Sequence, residues 1–157
     1  MSLPKFVKIF ALAAAVALAA GSARAQTIVL KLSHFVPPQH TFHKWVTGWA
    51  EKIEKGSGGR LKFEIYPNGQ LVGPPNRQLD AARNGIVDIA WVLHGVTPGR
   101  YPMTELANLP FTFPSKGVDL PEMAKRLTEL APKYLAAEHT GLHILFLNQA
   151  PPVLLFS

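Results

Sequence analysis

The chain has 157 residues, a formal charge of +6, 17% charged and 48% hydrophobic residues, and no cysteine. That length builds one cored domain and is short for two, and the composition is globular rather than disordered. The lack of cysteine excludes disulfides, thiolate metal sites, cysteine nucleophiles and a lipid-modified N-terminal cysteine.

Lys5 and Lys8 precede the uncharged run of residues 9–20, and Ala23-Arg24-Ala25 has the small-x-small form of a cleavage site. Residues 1–25 are read as a secretory signal peptide, cut before Gln26. A membrane anchor is the alternative, but the run is too short for a hydrocarbon core roughly 30 Å thick. The processed protein is expected to be soluble and periplasmic. Residues 1–25 carry Lys5, Lys8 and Arg24 and no acid, so processing lowers the formal charge from +6 to +3. With no basic cluster carrying interleaved aromatics, no nucleic-acid partner is expected. The charge is compatible with a small anionic ligand and does not require one.

Residues 27–33 alternate Ile28, Leu30 and Leu32 with Val29, Lys31 and Ser33, which predicts a first strand. Pro37-Pro38 stops it. A helix is expected over residues 40–55, with Phe42, Trp45, Val46, Trp49 and Ile53 as its apolar stripe. A second strand follows over residues 60–66, ended by Pro67-Asn68-Gly69. Pro75 opens a second helix at a position where its missing N–H costs nothing, and Gly85 closes it. Residues 86–92 are nearly all apolar and β-branched or aromatic, as suits a strand covered on both faces. This is β-α-β-α-β, hence a parallel sheet with right-handed crossovers.

Residues 93–100 read as a loop, residues 103–108 as a short helical turn, and residues 109–114 as an irregular aromatic and proline-rich segment. Asp119 with Glu122 resembles a capping box for a helix over residues 120–130. Pro132 is expected to kink that helix or to begin a second piece reaching residue 138. Residues 142–147 predict another buried strand, and residues 148–157 end on an apolar run with no turn or cap.

These features together resemble the solute-binding proteins of TRAP transporters (the DctP-like family). A strand ending in Ser33-His34-x-x-Pro37 precedes a Trp-bearing helix. Residues 59–90 carry G-x-L-x-F-x-x-Y-P-x-x-Q-L and N-G-x-x-D-I-A, and Leu109-Pro110-Phe111 fits the family's aromatic segment. The resemblance runs from residue 28 to the C-terminus. It implies an α/β, periplasmic-binding-protein-like lobe with a mainly parallel sheet flanked by helices, truncated before the second lobe of a clamshell. Residues 26–147 would form the N-terminal lobe and residues 148–157 the start of the interdomain crossover. It also implies an organic carboxylate as ligand, with small and large integral membrane subunits as partners. The family's carboxylate-holding arginine has no matching position here.

Ligands of open parallel sheets lie beyond the carboxyl ends of the strands, at the switch point of the strand order. For a 2-1-3 order that places His34 and Phe35 opposite Trp91 and His94. The histidines would donate to a carboxylate and Trp91 would wall an apolar part of the solute; Trp91 as plain core is an equal reading. Arg100 is a substitute anion contact, with Asn148 a hydrogen-bonding residue at a strand end. The remaining polar residues have ordinary uses: Arg77 and Arg83 face solvent, and Asp88 pairs locally. His40 and His43 make only half of a metal site, so no metal or other cofactor is expected. A secreted hydrolase is disfavoured by the absence of a Gly-x-Ser-x-Gly elbow and of cysteine. An inactive fragment or an interaction module stands as the other alternative to a transport function.

Overall fold

The computed structural model describes residues 26–106, 109, 117 and 119–148. The predicted signal peptide, residues 110–114 of the aromatic segment and residues 149–157 of the predicted crossover lie outside them.

Three parallel strands form one sheet in the order β2-β1-β3: β1 (Ile28–Ser33), β2 (Leu61–Tyr66) and β3 (Ile89–Ala90). Leu32 stands opposite Ile65 on one side and Ile89 on the other. Parallel neighbours require a crossover. Helix α1 (Thr41–Gly56) makes the first. A 3-10 turn (Pro75–Arg77) and α2 (Gln78–Arg83) make the second. Of the seven residues predicted for the third strand only two enter the ladder. Backbone bonds from the Asp88 N–H to the Lys31 carbonyl at 2.9 Å and from the Trp91 N–H to the Ser33 carbonyl at 3.0 Å flank those two, and the other side of the segment faces a cavity.

The amphipathic pattern explains how α1 seats on the sheet. Val46 and Ala50 are buried, while Trp45 at the margin of the stripe is half exposed. His40 caps the helix, its Nδ1 accepting from the Phe42 N–H at 3.1 Å. At the other end, Glu54 accepts from the Phe63 N–H at 2.8 Å and pairs with Lys62 at 3.0 Å. The carboxylate therefore fixes the end of α1 to the middle of β2.

After β2 the chain reverses through Asn68 and Gly69, both at positive φ. A Cβ on Gly69 would lie 2.5 Å from the Gly73 carbonyl oxygen, where the turn closes on itself through the Gly73 N–H. Gly85 also has positive φ, but a Cβ there meets open space.

Helix α3 (Pro102–Glu105) is the predicted short turn, with residues 107 and 108 outside the described set. Helix α4 (Leu120–Tyr134) is capped by Asp119, which accepts from the Glu122 N–H at 3.2 Å. Pro132 lies inside this one helix and begins no second piece. The proline takes one N–H out of the final turn, and the helix continues only to Tyr134 before the chain turns. The predicted strand over residues 142–147 is also corrected, because these residues join no ladder. The cavity stands between them and β3. Their anchor is Thr128 of α4, whose Oγ1 accepts from the Leu147 N–H at 2.8 Å.

The core follows from this layout. Leu32, Val46, Leu79, Val87 and Ala131 are all buried around the sheet. Among the described residues no helix is long and apolar enough to cross a membrane.

The two glycines should respond unequally to alanine. Gly85→Ala meets only the left-handed backbone penalty, about 1 kcal/mol. Gly69→Ala adds a backbone clash and should cost roughly 3 kcal/mol. Urea unfolding of the two variants checks this, and equal midpoints would contradict the close approach at Gly69.

Candidate functional site

β1 and β3 end side by side, and the residues that follow them turn outward together. The Trp91 N–H donates to the Ser33 carbonyl at 3.0 Å, holding the two strand ends in register. Phe35 then stacks on Trp91, with ring centres 4.7 Å apart and planes 4° from parallel. Phe42, from the first turn of α1, stacks on Trp91 at 3.8 Å and 14°. Trp91 is thus sandwiched, and each aromatic contact contributes about 0.5–1.5 kcal/mol beyond area burial.

A cavity of about 390 Å³ opens against this stack. Asp88 to Val92 form one wall and Gly141 to Asn148 the other, with Phe42, Trp49 and Leu79 below. Trp91, His94 and Asn148 line it together. A second cavity of about 590 Å³, between α1 and α4, shares Phe42, Phe146, Leu147 and Asn148 with the first. A volume of this order suits a small organic molecule.

The other predicted site residues lie elsewhere. His34 is fully buried, its Nε2 facing His43 Nδ1 at 2.9 Å. Burial first, and His43 second, push the His34 pKa down to about 4, against an opposing backbone contact at Val36. At neutral pH His34 is an uncharged imidazole paired to another. Arg100 makes a two-pronged ion pair with Asp80 of α2 and lies over the Tyr101 ring. The Arg100 hydrogen bonds hold the Asp80 carboxyl below its usual range.

His94 sits in a polar group that the sequence did not suggest. Its ring meets Tyr101 at 5.1 Å and His139 at 5.2 Å, and Tyr101 stacks on His139 at 5.1 Å. His139, from the turn after α4, also lines the cavity. No sequence signal marked it, since it stands alone in a turn. Phe42 carried the signal of a core stripe, which it partly obeys.

Solved structures and characterised relatives fit this arrangement. Residues 32–145 match the family described as bacterial extracellular solute-binding protein, family 7 (DctP). A TRAP solute-binding protein from an unidentified marine microbe, specific for aromatic acids and bound to 3-hydroxybenzoate, superposes with a TM-score of 0.70. The two are 34% identical, over 77% of this chain and 37% of that one. A TRAP solute-binding protein of Rhodoferax ferrireducens with copurified benzoate gives 0.67 at 34% identity, over 73% and 35% of the two chains. The C4-dicarboxylate-binding periplasmic protein DctP of Rhodobacter capsulatus is 34% identical over 92 residues, 58% of this chain and 27% of its own. The chain thus spans about a third of the length of these relatives.

A neutral, buried His34 makes a definite acid dependence. Its pKa is depressed on folding, so its contribution to stability is complete above about pH 6.5 and is lost as pH falls toward 4. Through that window it should lower stability by about 1.4 kcal/mol per pH unit. Proton NMR of the His34 ring should show a midpoint near 4; titration near 6.5 would contradict the buried pairing.

Proposed function

Because the chain belongs to the bacterial extracellular solute-binding proteins of family 7, a family of binders rather than enzymes, we propose that it supplies one lobe of a TRAP transporter's solute receptor and takes an organic carboxylate, aromatic acids foremost. The observation that carries this reading is the aromatic-lined cavity beside β3, which reaches Trp91 and His94 at the carboxyl end of that strand. In an open parallel sheet that position is where ligands gather.

In this reading Trp91, His94 and Asn148 touch the solute from the cavity wall. His94 and Asn148 offer neutral hydrogen-bond donors, which suit a carboxylate already compensated elsewhere. Phe35, with Phe42, holds the Trp91 plane, and His34 fixes the end of β1. Arg100 reaches an anion only on leaving Asp80. The aromatic preference draws on the relatives that hold 3-hydroxybenzoate and benzoate, and on the aromatic ring planes stacked here. A dicarboxylate, as for the Rhodobacter protein, is the second reading.

The wider setting belongs to the same proposal. Residues 1–25 direct export and are removed, residues 26–147 form the lobe, and the product works in the periplasm. It delivers its solute to the small and large membrane subunits of the transporter. Uptake then rests on closure of two lobes over the ligand, which stabilises the closed state by bridging both.

One lobe offers one wall, so affinity should be weak. Benzoate should quench tryptophan fluorescence of this chain with a dissociation constant of about 1 mM. Benzamide, which lacks the charge, should quench less. Asn148→Ala should weaken benzoate roughly tenfold through the lost hydrogen bond. Equal quenching by benzoate and benzamide, or none by either, would overturn the carboxylate reading.

A further inference from the structure

The polar group around His94 joins three separate pieces of chain. His94 opens the 3-10 turn His94–Val96, Tyr101 precedes α3, and His139 lies beyond the end of α4. Tyr101 and His139 are nearly inaccessible to solvent, at 2% and 3% exposure. His94 Nδ1 is buried and has no hydrogen-bond partner among the described residues. An imidazole in this setting is tolerated while neutral. As a cation it would carry an unpaired N–H beside a second imidazole.

The flanks of the loop are secured independently. Glu138 accepts from the Met103 N–H at 2.6 Å, and from the Thr104 N–H at 3.0 Å and hydroxyl at 2.8 Å. Since that hydroxyl donates to Glu138, His139 Nε2, 3.1 Å away, is the donor to Thr104 Oγ1. On the same side, Arg100 is tied to Asp80, and the Gly99 N–H donates to Glu105 at 3.0 Å. On the N-terminal side the Trp91 N–H is held by the Ser33 carbonyl at 3.0 Å. The segment from His94 to Pro98 is therefore a short span between two fixed ends, and its inner contact is the ring of His94.

We propose that His94, packed edge-on against the stacked rings of Tyr101 and His139, is an acid-released latch that closes the His94–Pro98 segment over that buried pair. On protonation the His94 ring leaves for solvent and the loop lifts locally, uncovering Tyr101 and the His139 edge of the cavity. The charged and titratable groups that face it are few. His139 opposes the charge, and Glu105 and Glu138 favour it; Arg83 of α2 acts on His139, which it helps to keep neutral. Arg100 stands over Tyr101 and is neutralised by Asp80. Burial outweighs the two carboxylates, and with His139 it pushes the His94 pKa down to about 4. Against its burial, hydrogen bonds from Met103 and Thr104 hold Glu138 below the usual carboxylate range.

The direction follows from the depressed value. The closed state is fully favoured above about pH 6.5 and weakens as pH falls toward 4. With an ordinary pKa in the lifted state, the closed-to-open ratio should drop about fifty-fold between pH 7 and about 4.5.

The test is NMR of the full chain with a water-soluble paramagnetic agent. At pH 7 the Tyr101 ring should be sheltered; near pH 4.5 it should broaden, with a midpoint matching the His94 ring titration. The Met103 and Thr104 amides should stay protected over the same range. His94→Gln, which cannot take the proton, should keep Tyr101 sheltered at both values. A Tyr101 ring that stays sheltered in acid overturns the latch, as does exposure that persists in His94→Gln. So does simultaneous loss of Met103, Thr104 and β1 protection, which would be global unfolding. If His94→Gln does not fold, the wild-type titration decides, since a His94 ring titrating near 6.5 refutes the proposal.

Discussion

β1 is hydrogen-bonded in parallel on both sides, and most of the described lobe follows from that constraint. A strand so placed has no edge for water, so its last residues are buried whatever their polarity. Leu32 benefits, but Ser33 and His34 are carried in with it. Parallel pairing also demands a crossover on each side, which puts α1 and α2 between the strands in sequence. The strand ends then point the same way, and the chain must leave the sheet at one common rim. A candidate binding position exists at that rim because of the strand order.

Burial at the rim has two chemical outcomes. Where the emerging residues are aromatic they stack, as Phe35, Trp91 and Phe42 do. The histidines His34 and His94 stay neutral, because desolvation outweighs a backbone contact at the first and two carboxylates at the second. Each keeps a buried Nδ1 without a partner, but His34 is also held through Nε2 by His43, whereas His94 meets its neighbours only through ring contacts. That extra bond makes His34 a fixed part of the strand end, and its lack at His94 leaves a point of potential movement. Arg100, by contrast, is committed to Asp80, so this rim contributes neutral donors and ring planes rather than a free guanidinium.

The elements that were legible in the sequence are those set by local pattern. The alternation of residues 61–66, the stripe of α1 and the Asp119 cap all express themselves within a few residues of their cause. The readings that changed depend on distant partners. Residues 142–147 have the composition of a strand, yet strand formation needs a neighbour at ladder distance, and a cavity occupies that place. Residues 86–92 shorten to a two-residue β3 paired with β1 on one side only. Pro132 removes a hydrogen bond so near the end of α4 that the helix survives it.

The candidate site divides along the same line. His34, Phe35, Trp91 and His94 were legible as residues at strand ends, because strand ends are a local property. Their partners were not: His43 for His34, Phe42 for Trp91, Asp80 for Arg100, His139 for His94. By itself the sequence determined the parallel α/β class, the order of elements and the family resemblance, since apolar period and turn residues encode these at short range. Only the tertiary structure decided which rings stack, which histidines are sealed and where the cavity opens. Those outcomes depend on burial and on contacts between residues far apart in the chain.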